Sequence, residues 1–301
     1  MDSNFRTGYC AIVGIPNAGK STLMNALLGT KLSIVSRKPQ TTRKRVLGIF
    51  SSDTEQIVFL DTPGIMPRPN TLLHKSMLEE VKRSFSDADV ILVLAEAQKS
   101  PDTSLPANWE EYKRIAGEKP MILAVSKIDL AKQKTDLLPI LQHYGQRPEF
   151  TEIVPISSAK GSNLKELVKT LRKYLPVAEP FFDTEQLSDQ NDRFFVGELV
   201  REVIFQQYKE EIPYSTEVDV REFKERGKGK WFVSADVIVE RDSQKAILVG
   251  RGGQALKSLG ERARNEIERF LEHPVFLELH VKTRADWRDN KRSLAELGYK
   301  T

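Results

Sequence analysis

Short apolar runs alternate with amphipathic stretches through the first half of the chain. Residues 9–13, 57–60, 90–95, 121–125 and 153–156 are almost wholly apolar. Their length and composition predict strands buried on both faces. Residues 72–85, 108–116 and 163–175 repeat apolar side chains at helical spacing and predict helices. Strand and helix in alternation predict an α/β domain with a mostly parallel sheet, its ligands at the carboxyl ends of the strands. Residues 176–191 hold two prolines and several acids without periodicity and read as the end of that pattern. Beyond them the order changes to helix (194–208), strand (216–225), strand (231–240), helix (244–249), helix (254–271) and strand (275–281). A basic hairpin tip at 226–230 joins the two long strands. The pattern predicts a domain over 1–175, a linker over 176–192 and a smaller α+β domain over 193–301.

Directly after the first strand comes Gly14-Ile15-Pro16-Asn17-Ala18-Gly19-Lys20-Ser21, then Thr22 and a helix closed by Gly29. The spacing G-x-x-x-x-G-K-[ST] between strand and helix is that of a phosphate-binding loop. Glycine at 14 and 19 lets backbone N–H groups turn inward. Lys20 supplies charge for the β/γ-phosphates, the Ser21 hydroxyl is a ligand for Mg²⁺, and the helix N-terminus adds partial positive charge.

Three further tetrads follow apolar runs. Asp61-Thr62-Pro63-Gly64 puts an acid beside the phosphates, where it can hold Mg²⁺, and a glycine whose N–H can approach a γ-phosphate. Ser126-Lys127-Ile128-Asp129 offers a carboxylate able to accept two N–H bonds from guanine, a pattern that adenine cannot supply. Either Ser126 or Asp129 could equally serve as a helix N-cap. Ser157-Ser158-Ala159-Lys160 presents backbone N–H groups to a base carbonyl, or simply turns the chain.

Bulk properties narrow the picture only a little. The 301 residues are enough for two cores. Net charge is +4, and residues 193–301 carry 21 Lys/Arg against 19 Asp/Glu, so overall charge does not locate a polyanion site. The single cysteine, Cys10, lies in the first strand and cannot form an internal disulfide. No secretory signal or 18-residue apolar span is visible, and the chain is expected to be cytoplasmic.

Phosphate loop, D-T-P-G, a variant of N-K-x-D and S-A-K, in this order, resemble the translation-factor-related GTPases. The resemblance implies GTP hydrolysis to GDP and phosphate with Mg²⁺. It makes Pro39-Gln40-Thr41-Thr42-Arg43 a first switch whose threonine completes the Mg²⁺ shell; Thr42 is assigned, with Thr41 the alternative. Implied catalytic groups are Lys20, Asn17, Thr42 and Gly64. The metal set is Ser21, Thr42 and Asp61, and Ser126, Lys127, Asp129, Ser158, Ala159 and Lys160 receive the base. The switch segments, around Thr42 and at 64–69, are expected to change order with the γ-phosphate. Two positions depart from the family. Ser126 replaces an asparagine, and its hydroxyl is expected not to bridge base and phosphate loop as an amide does. Ile65 replaces the water-orienting glutamine of Ras-like proteins, so slow intrinsic hydrolysis is expected. A phosphate-loop asparagine, here Asn17, holds K⁺ in some relatives; a purely structural role fits it equally.

In the second half, Gly250-Arg251-Gly252-Gly253 sits between two predicted helices, and residues 241–264 hold six basic and two acidic side chains. A G-x-x-G turn there resembles the KH loop, which clamps about four single-stranded nucleotides. The order of elements is that of a type II KH domain. Trp231 and Trp287 are expected in the core rather than stacked on bases. A GTPase domain followed by such a module resembles the Era family of bacterial ribosome-assembly GTPases, over nearly the whole chain. That implies a monomer binding small-subunit ribosomal RNA near its 3′ end, with peripheral membrane contact in some members. A membrane-surface regulatory GTPase whose KH-like domain binds protein or lipid is the alternative.

Overall fold

The computed structural model describes residues 4–36, 38–65 and 69–300. The described residues form two compact units, one of those within 1–33, 42–69 and 77–189, the other of those within 34–41, 70–76 and 190–301.

The first unit is built on a six-stranded sheet. Its strands are β1 (Arg6–Gly14), β2 (Val46–Ser51), β3 (Glu55–Asp61), β4 (Val90–Glu96), β5 (Met121–Ser126) and β6 (Glu152–Pro155), in the order β2-β3-β1-β4-β5-β6. All neighbours are parallel except β2 and β3. The helices are α1 (Lys20–Leu28), α2 (Leu72–Asp87, in this unit from Met77 onward), α3 (Pro101–Ser104), α4 (Trp109–Ala116), α5 (Leu138–Gly145) and α6 (Leu164–Arg172). In α2, Met77, Val81 and Phe85 recur every fourth residue and are buried, as a helix that covers a sheet requires. β3 and β4 are buried at every position, which explains why they read as unbroken apolar runs.

β2 was not expected from the sequence. It pairs antiparallel with β3, Val46 opposite Asp61 and Ser51 opposite Gln56. Gly48 interrupts its apolar run, and the structure shows why. A Cβ at Gly48 would lie 2.7 Å from Leu28 Cδ1 and 2.8 Å from Met24 Sδ, so α1 lies directly on this strand.

The stretch expected as a linker begins along the first unit. Arg6 bridges to Val177, the Gln56 amide bonds the backbone of Phe181 and Phe182, and Ile49 N–H reaches Leu187 O at 2.9 Å. The Phe181 ring stacks on Tyr9 at 5.4 Å between centroids. Its irregular sequence follows from this: the chain is held by scattered bonds from a sheet, not by a ladder of its own.

The second unit runs α7 (Asp192–Gln207), α8 (Ile212–Ser215), β7 (Glu217–Lys224), β8 (Trp231–Val239), α9 (Asp242–Val249), α10 (Gln254–Leu271), β9 (Val275–Thr283) and α11 (Lys291–Glu296). Its sheet has the order β7-β8-β9, antiparallel then parallel. The parallel pair requires a crossover, which α9, the glycine turn and α10 provide. Val233, Ala235, Val237 and Val239 of β8 alternate inward against Leu248, Leu259, Ala263 and Ile267.

Candidate functional site

β1 lies between β3 and β4, so the sheet order reverses at β1 and opens a crevice at the carboxyl ends of those strands. The phosphate loop leaves β1 there. Gly14 is needed because a Cβ would sit 2.8 Å from the Leu94 carbonyl oxygen of β4. Gly19 takes the left-handed conformation (φ 101°), although a Cβ there would meet nothing within 4 Å, and α1 starts at the next residue. Lys20 is buried and donates from Nζ to the carbonyls of Gly14 (3.2 Å) and Ile15 (3.1 Å). Burial pushes its ammonium down to about 8, against the opposing pull of Asp61.

Ser21, Thr42 and Asp61 converge. The Ser21 hydroxyl donates to Asp61 Oδ2 at 2.9 Å and lies 2.9 Å from Thr42 Oγ1, which is itself 3.4 Å from the same carboxylate oxygen. Asp61 is fully buried, and its Oδ1 accepts no hydrogen bond. Burial raises its carboxyl above the ordinary range, although Lys20 and the hydroxyls of Ser21, Ser33 and Thr42 pull it down. An oxygen buried without a partner beside two hydroxyls fits a hard divalent cation. One carboxylate and two hydroxyls are too few to cage the ion alone, and no group of three acidic, His or Cys ligands occurs among the described residues. The remaining ligands would be phosphate oxygens and water, the usual partners of Mg²⁺.

Thr62 is buried and donates to Ile12 O at 2.8 Å, tying the D-T-P-G turn back to β1. A Cβ at Gly64 would meet Pro16 Cα at 3.0 Å and Pro16 N at 3.1 Å, so the turn lies directly against the phosphate loop. Ile65 is buried in the core, and its N–H reaches Gly14 O at 3.3 Å. It cannot orient water from there. Residues 66–68 of the expected 64–69 switch lie outside the described residues.

Ser126 reaches the phosphate loop but not a base. It is 2% exposed and its hydroxyl donates to Ala18 O at 2.8 Å, with Ala95 O at 3.3 Å. A short side chain therefore does reach the phosphate loop, because β5 ends directly beside it. One hydroxyl carries one proton, so this bond leaves none to donate to a base. Lys127 takes a left-handed backbone (φ 60°) and donates from Nζ to Asn17 O and to Glu96 Oε2, both at 2.7 Å. Exposed Asp129 accepts from the Ser157 hydroxyl at 2.5 Å, and Lys160 N–H bonds the same hydroxyl at 3.1 Å. Ser158 is half-buried, while Ala159 and Lys160 are exposed on the turn that follows.

Two contributors were missed in the sequence. Glu96 ends β4 with only 10% of its side chain exposed and pairs with Lys127 and, at 2.6 Å, with Lys99. Burial alone would raise its carboxyl; the two ammonium groups outweigh that and hold it below the ordinary range. Its signal was an acid closing an otherwise apolar strand. Ser157, fully buried, fixes Asp129; nothing in the local pattern set it apart from Ser158.

In the second unit the glycine turn separates α9 from α10. Gly250 has φ 70°, and a Cβ there would lie 2.6 Å from Ala255 Cβ; Gly252 (φ 54°) and Gly253 (φ 78°) face open space. Arg251 is exposed. A groove of about 450 Å³ runs from Gly253 between α10 and β9, lined by Leu256, Lys257, Gly260, Arg264 and Phe276. Trp287 is buried, donating to Ser215 O at 2.9 Å, and Trp231 stacks on His273. Among the described residues no helix is long and apolar enough to cross a membrane.

A phosphate loop joined to a cation-ready carboxylate, on a sheet of this order, defines a P-loop GTPase domain, here followed by a type II KH domain. Residues 9–127 match the family described as 50S ribosome-binding GTPase, and residues 211–288 match the KH domain. The chain is 44% identical to GTPase Era of Geotalea daltonii, over 99% of each chain, and 44% identical to GTPase Era of Aquifex aeolicus, over 98% of this chain and 99% of that one. It belongs to the Era family of GTPases. Its structure is similar to that of an A. aeolicus Era variant bound to GDP and AlF4⁻, at TM-score 0.92 and 43% identity over 99% of this chain and 100% of the other. The same TM-score, identity and coverage hold for Era in complex with MgGDPNP and nucleotides 1506–1542 of 16S ribosomal RNA.

Proposed function

We propose that this chain binds GTP with Mg²⁺ at the ends of β1, β3 and β5, hydrolyses it, and grips single-stranded 16S ribosomal RNA near its 3′ end during assembly of the small subunit. The observation that carries the reading is the meeting of Ser21, Thr42 and the unpartnered Asp61 oxygen beside Lys20. Support for the RNA comes from the groove beside the glycine turn and from the Era complex at 43% identity.

In this reading Ser21, Thr42 and Asp61 hold the cation, which when bound neutralises charge on the β- and γ-phosphates. Lys20 leaves its two carbonyl partners for phosphate oxygens. Gly64 brings its N–H to the γ-phosphate, and Asp129 accepts from the guanine edge while Ser157 steadies it. Lys127 holds the phosphate loop through Asn17 O. With Ile65 in the core, its side chain does not orient the attacking water, so turnover is slow without a further group. We assign K⁺ binding to exposed Asn17, where a monovalent cation would offset transition-state charge; equal turnover in K⁺ and Na⁺ buffers removes that assignment. The monomeric chain acts in the cytoplasm, and any membrane contact is peripheral.

Calorimetry with Mg²⁺ tests the nucleotide site: GDP and GTP bind, ADP and ATP do not. RNA crosslinking and sequencing tests the second unit: reads gather at the 3′ end of 16S RNA and disappear on Gly252→Asp. Absence of guanine nucleotide binding, or crosslinks spread evenly over ribosomal RNA, refutes the corresponding half.

A further inference from the structure

The outer face of the second unit's sheet carries an arrangement that its core does not need. Along β8 and β9 alternate residues point away from the helices, and the register pairs Phe232 with Phe276 and Lys224 with Phe232. Lys224, Phe232 and Phe276 thus form one row across three strands at the hairpin end. The two rings stack with centroids 6.0 Å apart and planes 15° from parallel. The Arg226 guanidinium lies over Phe232 at 5.7 Å. Phe276 is 51% exposed. The next row of the same face is Glu222, Ser234 and Glu278, with Glu222 paired to Lys224; beyond it Asp236 is neutralised by Arg221 and Lys282, each at 2.7 Å.

Half-exposed aromatic rings on adjacent strands are costly in water unless something covers them. The chemistry around them selects the occupant. From Arg221 to Lys230 the hairpin holds five basic residues and two acidic ones, which suits a polyanion better than an apolar protein surface. Flat rings beside cationic side chains are the means by which sheets stack splayed bases of single strands. Phe276 also lines the groove that begins at Gly253, so a strand lying in that groove arrives at the aromatic row.

We propose that Phe232 and Phe276, with Arg226, form a base-stacking platform that extends the single-stranded RNA track from the groove between α10 and β9 onto the outer sheet face. Stacking makes no demand on base identity, so the platform lengthens the bound segment without adding a sequence requirement. It rests on the RNA-binding reading above.

The test uses the full chain and fluorescent RNA oligonucleotides, a pyrimidine tetranucleotide and a nonanucleotide, with affinity read by anisotropy. Phe232→Ala, outside the groove lining, is expected to weaken the nonanucleotide about tenfold and leave the tetranucleotide unchanged, and Phe276→Ala, at the groove's end, to weaken the nonanucleotide about tenfold. Phe276→Tyr, which keeps the ring, restores nonanucleotide binding; Phe276→Leu, which keeps apolar area without a π-face, does not. Gly252→Asp, in the open turn, weakens both oligonucleotides. If the alanine variants bind the nonanucleotide as the unmodified chain does while Gly252→Asp still fails, the platform is refuted and the groove stands. If the unmodified chain binds neither oligonucleotide, the RNA-binding reading falls and the platform with it.

Discussion

Replacing Glu96 with glutamine weakens its ion pairs with Lys127 and Lys99 beside the phosphate loop. The Lys127 ammonium is held between Asn17 O and Glu96 Oε2, each at 2.7 Å. Glutamine can keep its one acceptor oxygen on Lys127 with the same reach; it removes the charge and turns its NH2 toward Lys99, which pairs with the other carboxylate oxygen at 2.6 Å. A hydrogen bond to a charged group contributes about 1.5–3 kcal/mol and a neutral one about 1 kcal/mol. Lys127 is 33% exposed, whereas Glu96 is 10% exposed, so solvent trims the difference to about 1 kcal/mol. Lys127 would then hold the phosphate loop and the base less firmly, and GDP affinity should fall about fivefold. A competing effect has the opposite sign, because losing a carboxylate near the phosphates favours an anionic ligand. The salt bridge acts in direct contact while the longer-range effect is screened over about 8 Å, so weakening should win. Calorimetric titration of GDP into both proteins at low and physiological salt measures this, with the gap narrowing as salt rises. Unchanged or tighter GDP binding by Glu96→Gln refutes a positioning role for Glu96.

Two other outcomes follow from the same geometry. Gly64→Ala places a methyl group 3.0 Å from the Pro16 backbone, so the turn must retreat from the phosphate loop; GTP should weaken about fivefold relative to GDP, and an unchanged GTP/GDP ratio argues against contact with the γ-phosphate. Asp236 is 1% exposed, and although burial raises its carboxyl, Lys282 and Arg221 outweigh that and hold it below the ordinary range. A depressed carboxyl stabilises the fold above its unfolded value near 3.9 and loses that contribution as pH falls through its lower folded value. Asp236→Asn should therefore cost about 1 kcal/mol at neutral pH in urea unfolding, with the gap closing in acid; a gap independent of pH contradicts the ion-pair account.

Much of the site could be read along the chain because phosphate binding is a local problem. A strand, a loop with glycine where Leu94 O comes close, and a helix start are contiguous, so their spacing carries the chemistry. Glu96 and Ser157 escaped notice because their roles exist only across strands: one meets Lys127 from β4, the other meets Asp129 from the turn after β6. β2 was missed for a similar reason, since its pairing with β3 depends on α1 closing over Gly48.

From the linear chain alone came the alternation of buried strands and amphipathic helices, the phosphate loop, the carboxylate proposed to accept from guanine and the change to a second kind of module. Those features repeat or cluster within a few residues, and local spacing encodes them. Tertiary structure decided that the Ser126 hydroxyl reaches Ala18, that Asp61 keeps one oxygen without a partner, and that Phe232 and Phe276 share one row. Each depends on which strand neighbours which and in what register, and hydrogen bonding between segments distant in sequence sets that register.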